Sequence, residues 1–477
     1  MRYVALIPII SLWILPFSVR AQVFTVADAI SAALVHNTEI QSVYLDRLLA
    51  INNLSVQQKL YRPKLSLEMK GTAHKESYSA VPHSELMKAY PNLRVKTPIG
   101  TQLNISTEKA AYYDSQKRYD DSVTITILQP LTRGAKVKVN NWPRDQAQLQ
   151  YQAEMLNYQH EIENLVLKVI LQFTQYQQKF LNIESQQKNL SQAERLLNTL
   201  NEKYHAGRIA KNDLFAPQLQ IKQAKQSMLQ AKNELSQARM AIFDLVGIED
   251  NGDTIIADLS YQPSLVDEHI IPDVIAHDVR LKNLKLNETR YKHELILVKD
   301  NQMFDINLQA DVHLGRSYYH QFEDITAKDG EYHALKRPNK GYTASINFSV
   351  PIGDGYIHHN KRLAIHTAIQ KNLLEIKQRQ RILKNQAITW VDDIILQRQQ
   401  LMLTQEELDL SERDYQGTLE KYIAGRSSVH EVIRTQDRVH QVSMRLSKTE
   451  LQLLEAKIRV EQATGHLLEN WDVTLYS

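Results

Sequence analysis

The chain repeats itself. Lys203-Tyr204-His205-Ala206-Gly207-Arg208 returns as Lys421-Tyr422-Ile423-Ala424-Gly425-Arg426, at an offset of 218 residues. The same offset carries Leu245-Val246-Gly247 onto Ala463-Thr464-Gly465, and Gln129-Pro130-Leu131 has a counterpart in Val350-Pro351-Ile352 at an offset of 221. Self-similarity on this scale restricts the fold to a doubled supersecondary unit. The unit is a long helical hairpin preceded by strand-like segments. The functional question becomes what a doubled hairpin is for, rather than which catalytic site the chain carries.

Composition narrows the class. Hydrophobic residues make up 43% of the 477 residues and mean hydropathy is −0.41, which excludes a helical membrane protein. The one continuously apolar run is Ala5 to Phe17, between Arg2 and a Val19-Arg20-Ala21 cleavage pattern. It reads as a signal peptide, with Gln22 the first mature residue. As an uncleaved anchor it falls short of the ~20 residues a spanning helix needs. Removing Arg2 and Arg20 lowers the net charge from +3 to +1, a balance that does not point to nucleic acid. The absence of cysteine excludes disulfides, thiolate metal sites, a cysteine nucleophile and a lipid-modified N-terminal cysteine.

Periodicity then sets out the elements. Thr25-Val26-Ala27-Asp28 fits a capping box and opens a helix, a second helix runs from Asn37 to Leu60, and Pro63 stops it. Leu65, Leu67 and Met69 alternate as in a strand, as do Val123, Ile125 and Ile127. Residues 73–121 between them read as a long polar loop, with a short strand at Thr101–Ser106. From about Trp142 the period becomes 3.5. Ile162, Val169, Tyr176, Ile183, Leu190, Leu197 and Tyr204 fall seven apart, a coiled-coil seam on a helix ~90 Å long. Gly207 ends it as a left-handed cap, and a return helix follows with Ile221, Ala224, Met228, Ala231, Leu235, Ala238, Ile242 and Leu245 on its seam. The second repeat has the same plan: Ala387, Ile394, Leu401, Leu408, Tyr415 and Tyr422 on the long helix, Val439 to Ala463 on the return.

The resulting organisation is a signal peptide over 1–21 and a first structural repeat over 22–247, with strands at about 64–72 and 122–130 and a hairpin over about 142–247. A connector over 248–272 leads to a second repeat over 273–465, with strands at about 304–314 and 342–351 and a hairpin over about 358–465. A tail over 466–477 closes the chain. Four strands cannot close a barrel alone, and a hairpin with a narrow apolar seam cannot bury itself. Oligomerisation into a tube satisfies both.

The chain resembles the TolC family of outer-membrane efflux channels. The resemblance rests on Thr25-Val26-Ala27-Asp28-Ala29-Ile30 followed by His36-Asn37 and Glu39-Ile40, on Arg62-Pro63-Lys64-Leu65 entering the first strand, on Gln129-Pro130-Leu131 with Gly134 leaving the second, and on the two Tyr-x-Ala-Gly-Arg tips. Thr38 stands where the family has a proline, and the second repeat opens with a degraded His277-Asp278. The resemblance implies a mainly helical chain with a β-barrel contribution. It implies a homotrimer whose twelve-stranded barrel crosses the outer membrane of a Gram-negative bacterium, in contact with its lipid, and continues into a periplasmic α-helical tunnel. A periplasmic adaptor and an inner-membrane transporter dock at its tips. The duct is a passive gated exit for efflux or type I secretion, with no catalysis and no cofactor.

In the family a Tyr and an Arg at the second tip bond to the first hairpin, including an Asp there, and hold the entrance shut. Tyr422 and Asp213 match that pattern; the arginine stands one position early, at Arg426, where the family position is Ser427. Tyr204, Gly207 and Gly425 complete the expected tip. Both tyrosines also continue a heptad seam, and Arg426 is well placed at a helix C-terminus on electrostatic grounds alone. Glu431 matches an acidic ring at the tunnel entrance and also fits a capping box with Ser428, while Arg434, one turn on, reverses the charge. The 17 histidines show no metal-ligand spacing and read as solvated loop residues. The competing reading is a periplasmic coiled-coil adaptor or scaffold without a membrane barrel.

Overall fold

A computed structural model of the chain describes residues 23–75, 83–113, 118–250, 252, 255–257, 270–320, 334–350, 355–471 and 473. The expected signal peptide, most of the connector and most of the tail's last residues lie outside the described residues. In chain order the elements are β1 (Val23–Phe24), α1 (Val26–His36), α2 (Thr38–Gln58), β2 (Lys64–Lys75), β3 (His83–Lys96), β4 (Gln102–Tyr113), β5 (Arg118–Pro130), α3 (Val137–Asn140), α4 (Trp142–His205), α5 (Phe215–Val246), β6 (Ile255–Ile256), α6 (Ile271–His277), α7 (Val279–Asn301), β7 (Asp305–His320), β8 (Ala334–Ser349), α8 (Gly355–Ile423), α9 (Val429–Thr464) and α10 (Leu467–Asn470). The chain is mainly helical, with long helical hairpins α4–α5 and α8–α9 and one antiparallel sheet.

Two compact units cut across the repeats. The first contains the described residues up to Val43, with 159–277 and those from Leu383 onward; the second contains 44–158 and 278–382.

In the first unit Thr25 caps α1, its hydroxyl accepting from the Asp28 amide while the Asp28 carboxylate accepts from the Thr25 amide. Two of the four free donors of the first turn are thereby satisfied. Val26, Ala29, Ile30 and Ala33 bury the inner stripe of α1, and Phe24 stacks on Phe243 with ring centroids 5.6 Å apart. Ile162, Val166, Val169 and Phe173 of α4 are buried as the heptad requires, but the line of burial then shifts to Ala193 and Leu200. Phe180 and Tyr204 are left partly exposed, at 44% and 37%. On α8 and α9, Ala387, Ile394, Tyr422, Val442, Thr449 and Val460 are buried on the expected seam.

The two repeats break their opening helices in the same way. Asn37 separates α1 from α2: its side-chain oxygen accepts from the amides of Glu39 and Ile40, and its amide group donates to the Leu245 carbonyl at 2.9 Å. Asp278 separates α6 from α7: its carboxylate accepts from the Leu281 amide at 2.7 Å and pairs with both Nε and Nη2 of Arg379. The opening that looks degraded in sequence therefore keeps its cap, with Asp in place of Asn.

The second unit holds the sheet, in the order β2-β3-β4-β5-β7-β8, every neighbouring pair antiparallel. The sheet has six strands where the sequence pattern led to four. Residues 83–96 and 102–113, expected as polar loop apart from a strand at Thr101–Ser106, form a hairpin that lies between β2 and β5. The sheet presents an apolar face and a polar face. Leu65↔Leu93, Ile105↔Ile125, Ile125↔Val312 and Val312↔Tyr342 fall in cross-strand register on the apolar face. Ser66↔Asn92 and Thr126↔Asp311 lie on the polar face, where Thr126 donates to the Asp311 carboxylate at 2.7 Å.

Candidate functional site

The tips of the two hairpins come together in the first unit. Each is built by the same local chemistry. After α4, Gly207 takes a left-handed backbone (φ 70°), its amide donates to the Tyr204 carbonyl and the Arg208 amide to the Lys203 carbonyl. After α8, Gly425 (φ 72°) donates to Tyr422 and Arg426 to Lys421. This double bond pattern satisfies the last free carbonyls of a helix and needs a residue without a Cβ at the turn. The descents differ. The first tip continues through a single tight turn, Lys211–Leu214, in which Asp213 accepts from the Ala210 amide at 3.0 Å. The second continues directly into α9, capped by Ser428.

Leu200, Leu214, Tyr422, Val429 and Val432 form one buried cluster that joins the tips, flanked by Leu197, Ile209 and Tyr415. Tyr422, from the second tip, is 8% exposed within it. The Lys203 ammonium of the first hairpin sits 4.1 Å from its ring centroid, a cation–π contact. The Tyr422 hydroxyl is buried without a hydrogen-bond partner among the described residues. Burial, and then the charge of Asp213, raises its pKa, so the phenol stays protonated.

Of the expected tip residues, then, the structure brings Tyr422 and Asp213 near one another across the two hairpins, without a bond between them. Asp213 is engaged in its own turn. Tyr204 is exposed and its ring lies against His205, at 5.7 Å between centroids. Arg426 and Arg434 are exposed. Glu431 is held by its own cap: its carboxylate accepts from the Ser427 hydroxyl and the Ser428 amide. The Ser427 hydroxyl, then the Ser428 amide, pulls its pKa below the usual glutamate range. The exposed carboxylate stays ionised at the tip.

Sequence reasoning missed the polar ties behind the tips. Gln220 of α5 donates to Asp437 of α9 at 3.1 Å, and His440 of α9 lies 3.0 Å from the Ser185 hydroxyl of α4. Gln220, Asp437, His440 and Ser185 each stand one or two residues from a seam position, so the heptad period gives no signal for them. Burial pushes the His440 imidazole pKa down, with Asp437 opposing. Among the described residues no group of three or more His, Asp or Glu side chains is placed to hold a metal, and no helix is long and apolar enough to cross a membrane.

Comparison with known proteins bears on this geometry. A family model described as outer membrane efflux protein matches residues 29–248, the first repeat. Comparison with curated proteins finds no match. Among solved structures, a membrane protein from Pseudomonas aeruginosa is similar at a TM-score of 0.67 and 13% identity, covering 92% of this chain and 90% of that one. The outer membrane protein VceC from Vibrio cholerae is similar at 0.66 and 12%, covering 94% and 95%. The Campylobacter jejuni CmeC outer membrane channel is similar at 0.62 and 13%, covering 93% and 86%. At such identities the likeness is one of fold, and it extends over both repeats. With the family match over residues 29–248, the doubled hairpin and the sheet, the chain is similar to outer membrane efflux proteins and shares the fold of these solved channels.

Proposed function

We propose that three copies of this chain form a gated exit duct whose sheets make a barrel in the outer membrane and whose hairpins project into the periplasm. The observation that carries the reading is the sheet's apolar face. Leu67, Tyr342, Ile346 and Phe348 are 63%, 88%, 72% and 65% exposed. Such a face is untenable in water and suited to hydrocarbon. An adaptor or scaffold has no use for it. The duct itself catalyses nothing. It passes cargo delivered by an inner-membrane transporter through a periplasmic adaptor that engages the tips.

In this reading the cluster around Tyr422 is the closed entrance. Tyr422 and Lys203 couple the two hairpins, the nearby Asp213 carboxylate acts on the Tyr422 phenol by its charge, Gly207 and Gly425 end the ascending helices in a left-handed turn, and Arg426 faces solvent where a partner can engage it. Three copies of Glu431 and Arg434 set the charge at the opening, and their signs offset. Purified complex in planar bilayers tests this. Wild type is expected to conduct weakly, and Tyr422→Ala and Asp213→Ala to conduct more. Unchanged conductance in both variants would move the gate elsewhere.

A further inference from the structure

We infer that each chain contributes six strands to the membrane wall, so that the trimeric barrel has eighteen, because the hairpin β3–β4 is wall and not loop. The inference rests on the trimeric outer-membrane reading above and adds to it the size of the pore. The internal repeat supplies the first argument. In the second repeat β7 and β8 are direct neighbours; in the first, their counterparts β2 and β5 are separated by β3 and β4. The first repeat therefore carries an inserted hairpin that the second lacks.

The hairpin spans the full height of the sheet. β3 pairs with β2 from Lys75↔His83 to Lys64↔Arg94, and β4 pairs with β5 from Tyr112↔Arg118 to Gln102↔Leu128. Its return turn is fixed at the corner where β5 leaves the sheet. Gly100 (φ 85°) lies so close to that corner that a Cβ would stand 2.4 Å from the Gly134 carbonyl oxygen and 2.7 Å from the Pro130 ring. Asn140 Nδ2 donates to the same Gly134 carbonyl at 2.7 Å, and the Gly134 amide donates to the buried Asp300 carboxylate at 2.7 Å. A loop folded over one rim of the sheet would not reach this corner.

The hairpin also continues both faces. Pro91, Leu93 and Val95 alternate with Asn92, Arg94 and Lys96, and the register sets Leu93 against Leu65 and Ile105, while Asn92 faces Ser66 and Ser106. Lys88 and Glu108 form an ion pair on the polar face. Asn92, Ala110 and Ser317, all on that face, are buried, as expected of the concave side of a curved sheet. An alternation of lipid-facing apolar and lumen-facing polar residues is what a membrane barrel strand requires.

Closure follows from parity. Among the described residues β2 pairs only with β3 and β8 only with β7, so both outer edges carry unpaired backbone groups, which cannot stand in hydrocarbon. Six antiparallel strands leave β2 and β8 running in opposite directions. The β8 edge of one copy therefore meets the β2 edge of the next in antiparallel register, and one such junction repeated about a three-fold axis closes the wall. Barrel diameter grows about linearly with strand number, so eighteen strands make a lumen ~1.5 times as wide as twelve, in the range where barrels hold an aqueous channel.

The cysteine-free chain permits a direct test. Single cysteines are placed at Leu93→Cys and Ile105→Cys on the hairpin's apolar face, at Asn104→Cys on its polar face, and at Leu67→Cys and Ile346→Cys as controls on β2 and β8. Each variant is taken as native trimer in lipid vesicles and probed with a water-soluble maleimide and a lipid-soluble nitroxide quencher of an attached fluorophore. The inference expects positions 93 and 105 to behave like 67 and 346, labelled severalfold more slowly than 104 by the maleimide and quenched from the lipid. Aqueous labelling without lipid quenching at 93 and 105, with 67 and 346 still lipid-facing, overturns the eighteen-stranded wall and leaves the duct standing. Aqueous behaviour at 67 and 346 as well overturns the membrane-wall reading itself.

Discussion

Four glycines end long helices in the left-handed region, and they do not cost the same to replace. Gly207 and Gly425 have open space where a Cβ would go. Gly425→Ala is expected to destabilise by about 1 kcal/mol, from backbone conformation alone. At Gly465 a Cβ would stand 2.5 Å from His277 Nδ1, and at Gly247 it would stand 2.9 Å from the His36 carbonyl oxygen. Gly247→Ala, which meets backbone, and Gly465→Ala, which meets a ring, should lower the calorimetric unfolding midpoint more than Gly425→Ala does. Equal shifts would refute the packing argument. Tyr422 separates packing from hydrogen bonding. Its hydroxyl has no partner among the described residues, so Tyr422→Phe should change stability by less than ~1 kcal/mol, while Tyr422→Ala should cost about 3–5 kcal/mol through the void left between the tips. Chemical denaturation of the two variants distinguishes these. At this scale the turns and caps were legible, because glycine, serine and aspartate act through their own neighbours. The Lys203–Tyr422 contact was not, since nothing local links a lysine to a ring in the other repeat.

Elements carry a second set of expectations. Asp278 serves both as the cap of α7 and as partner to Arg379. Asp278→Ala removes both and should cost about 1–2 kcal/mol from the cap alone, with faster amide exchange over 279–282; Asp278→Asn should restore much of that protection. His440 ties α9 to α4 with a depressed pKa. The native state holds the ring neutral, whereas the unfolded chain binds a proton in the ordinary histidine range near about 6.5. As pH falls through that range the unfolded state gains the proton first, and stability drops. His440→Gln should flatten the change in unfolding midpoint between neutral and mildly acidic pH; an unaltered slope would assign the dependence elsewhere. The strands β2, β5, β7 and β8 were legible because apolar residues alternate in them with polar ones, as Ile306, Leu308 and Val312 do with Asn307, Gln309 and Asp311. The β3–β4 hairpin was missed, apart from Thr101–Ser106, because Ala89, Pro91 and Ala111 dilute its apolar face and Lys109 interrupts it. A barrel strand needs only one face apolar, and small residues meet that need with little periodic signal.

For the whole molecule, the repeat was the most legible feature and the consequence of its asymmetry the least. An offset of 218 residues between the tips established the doubled hairpin directly. That the first repeat carries two more strands than the second is a matter of pairing, which no local pattern encodes. In the proposed duct the open sheet edges are paired by further copies of the chain and the exposed apolar face is covered by lipid. The most direct test is the native mass of the complex extracted by mild detergent from outer-membrane fractions. The account predicts about three times the mass of one chain, 55.1 kDa before removal of the signal peptide, retained in the membrane after a salt wash. A monomer, or protein recovered only in the soluble periplasmic fraction, would contradict it.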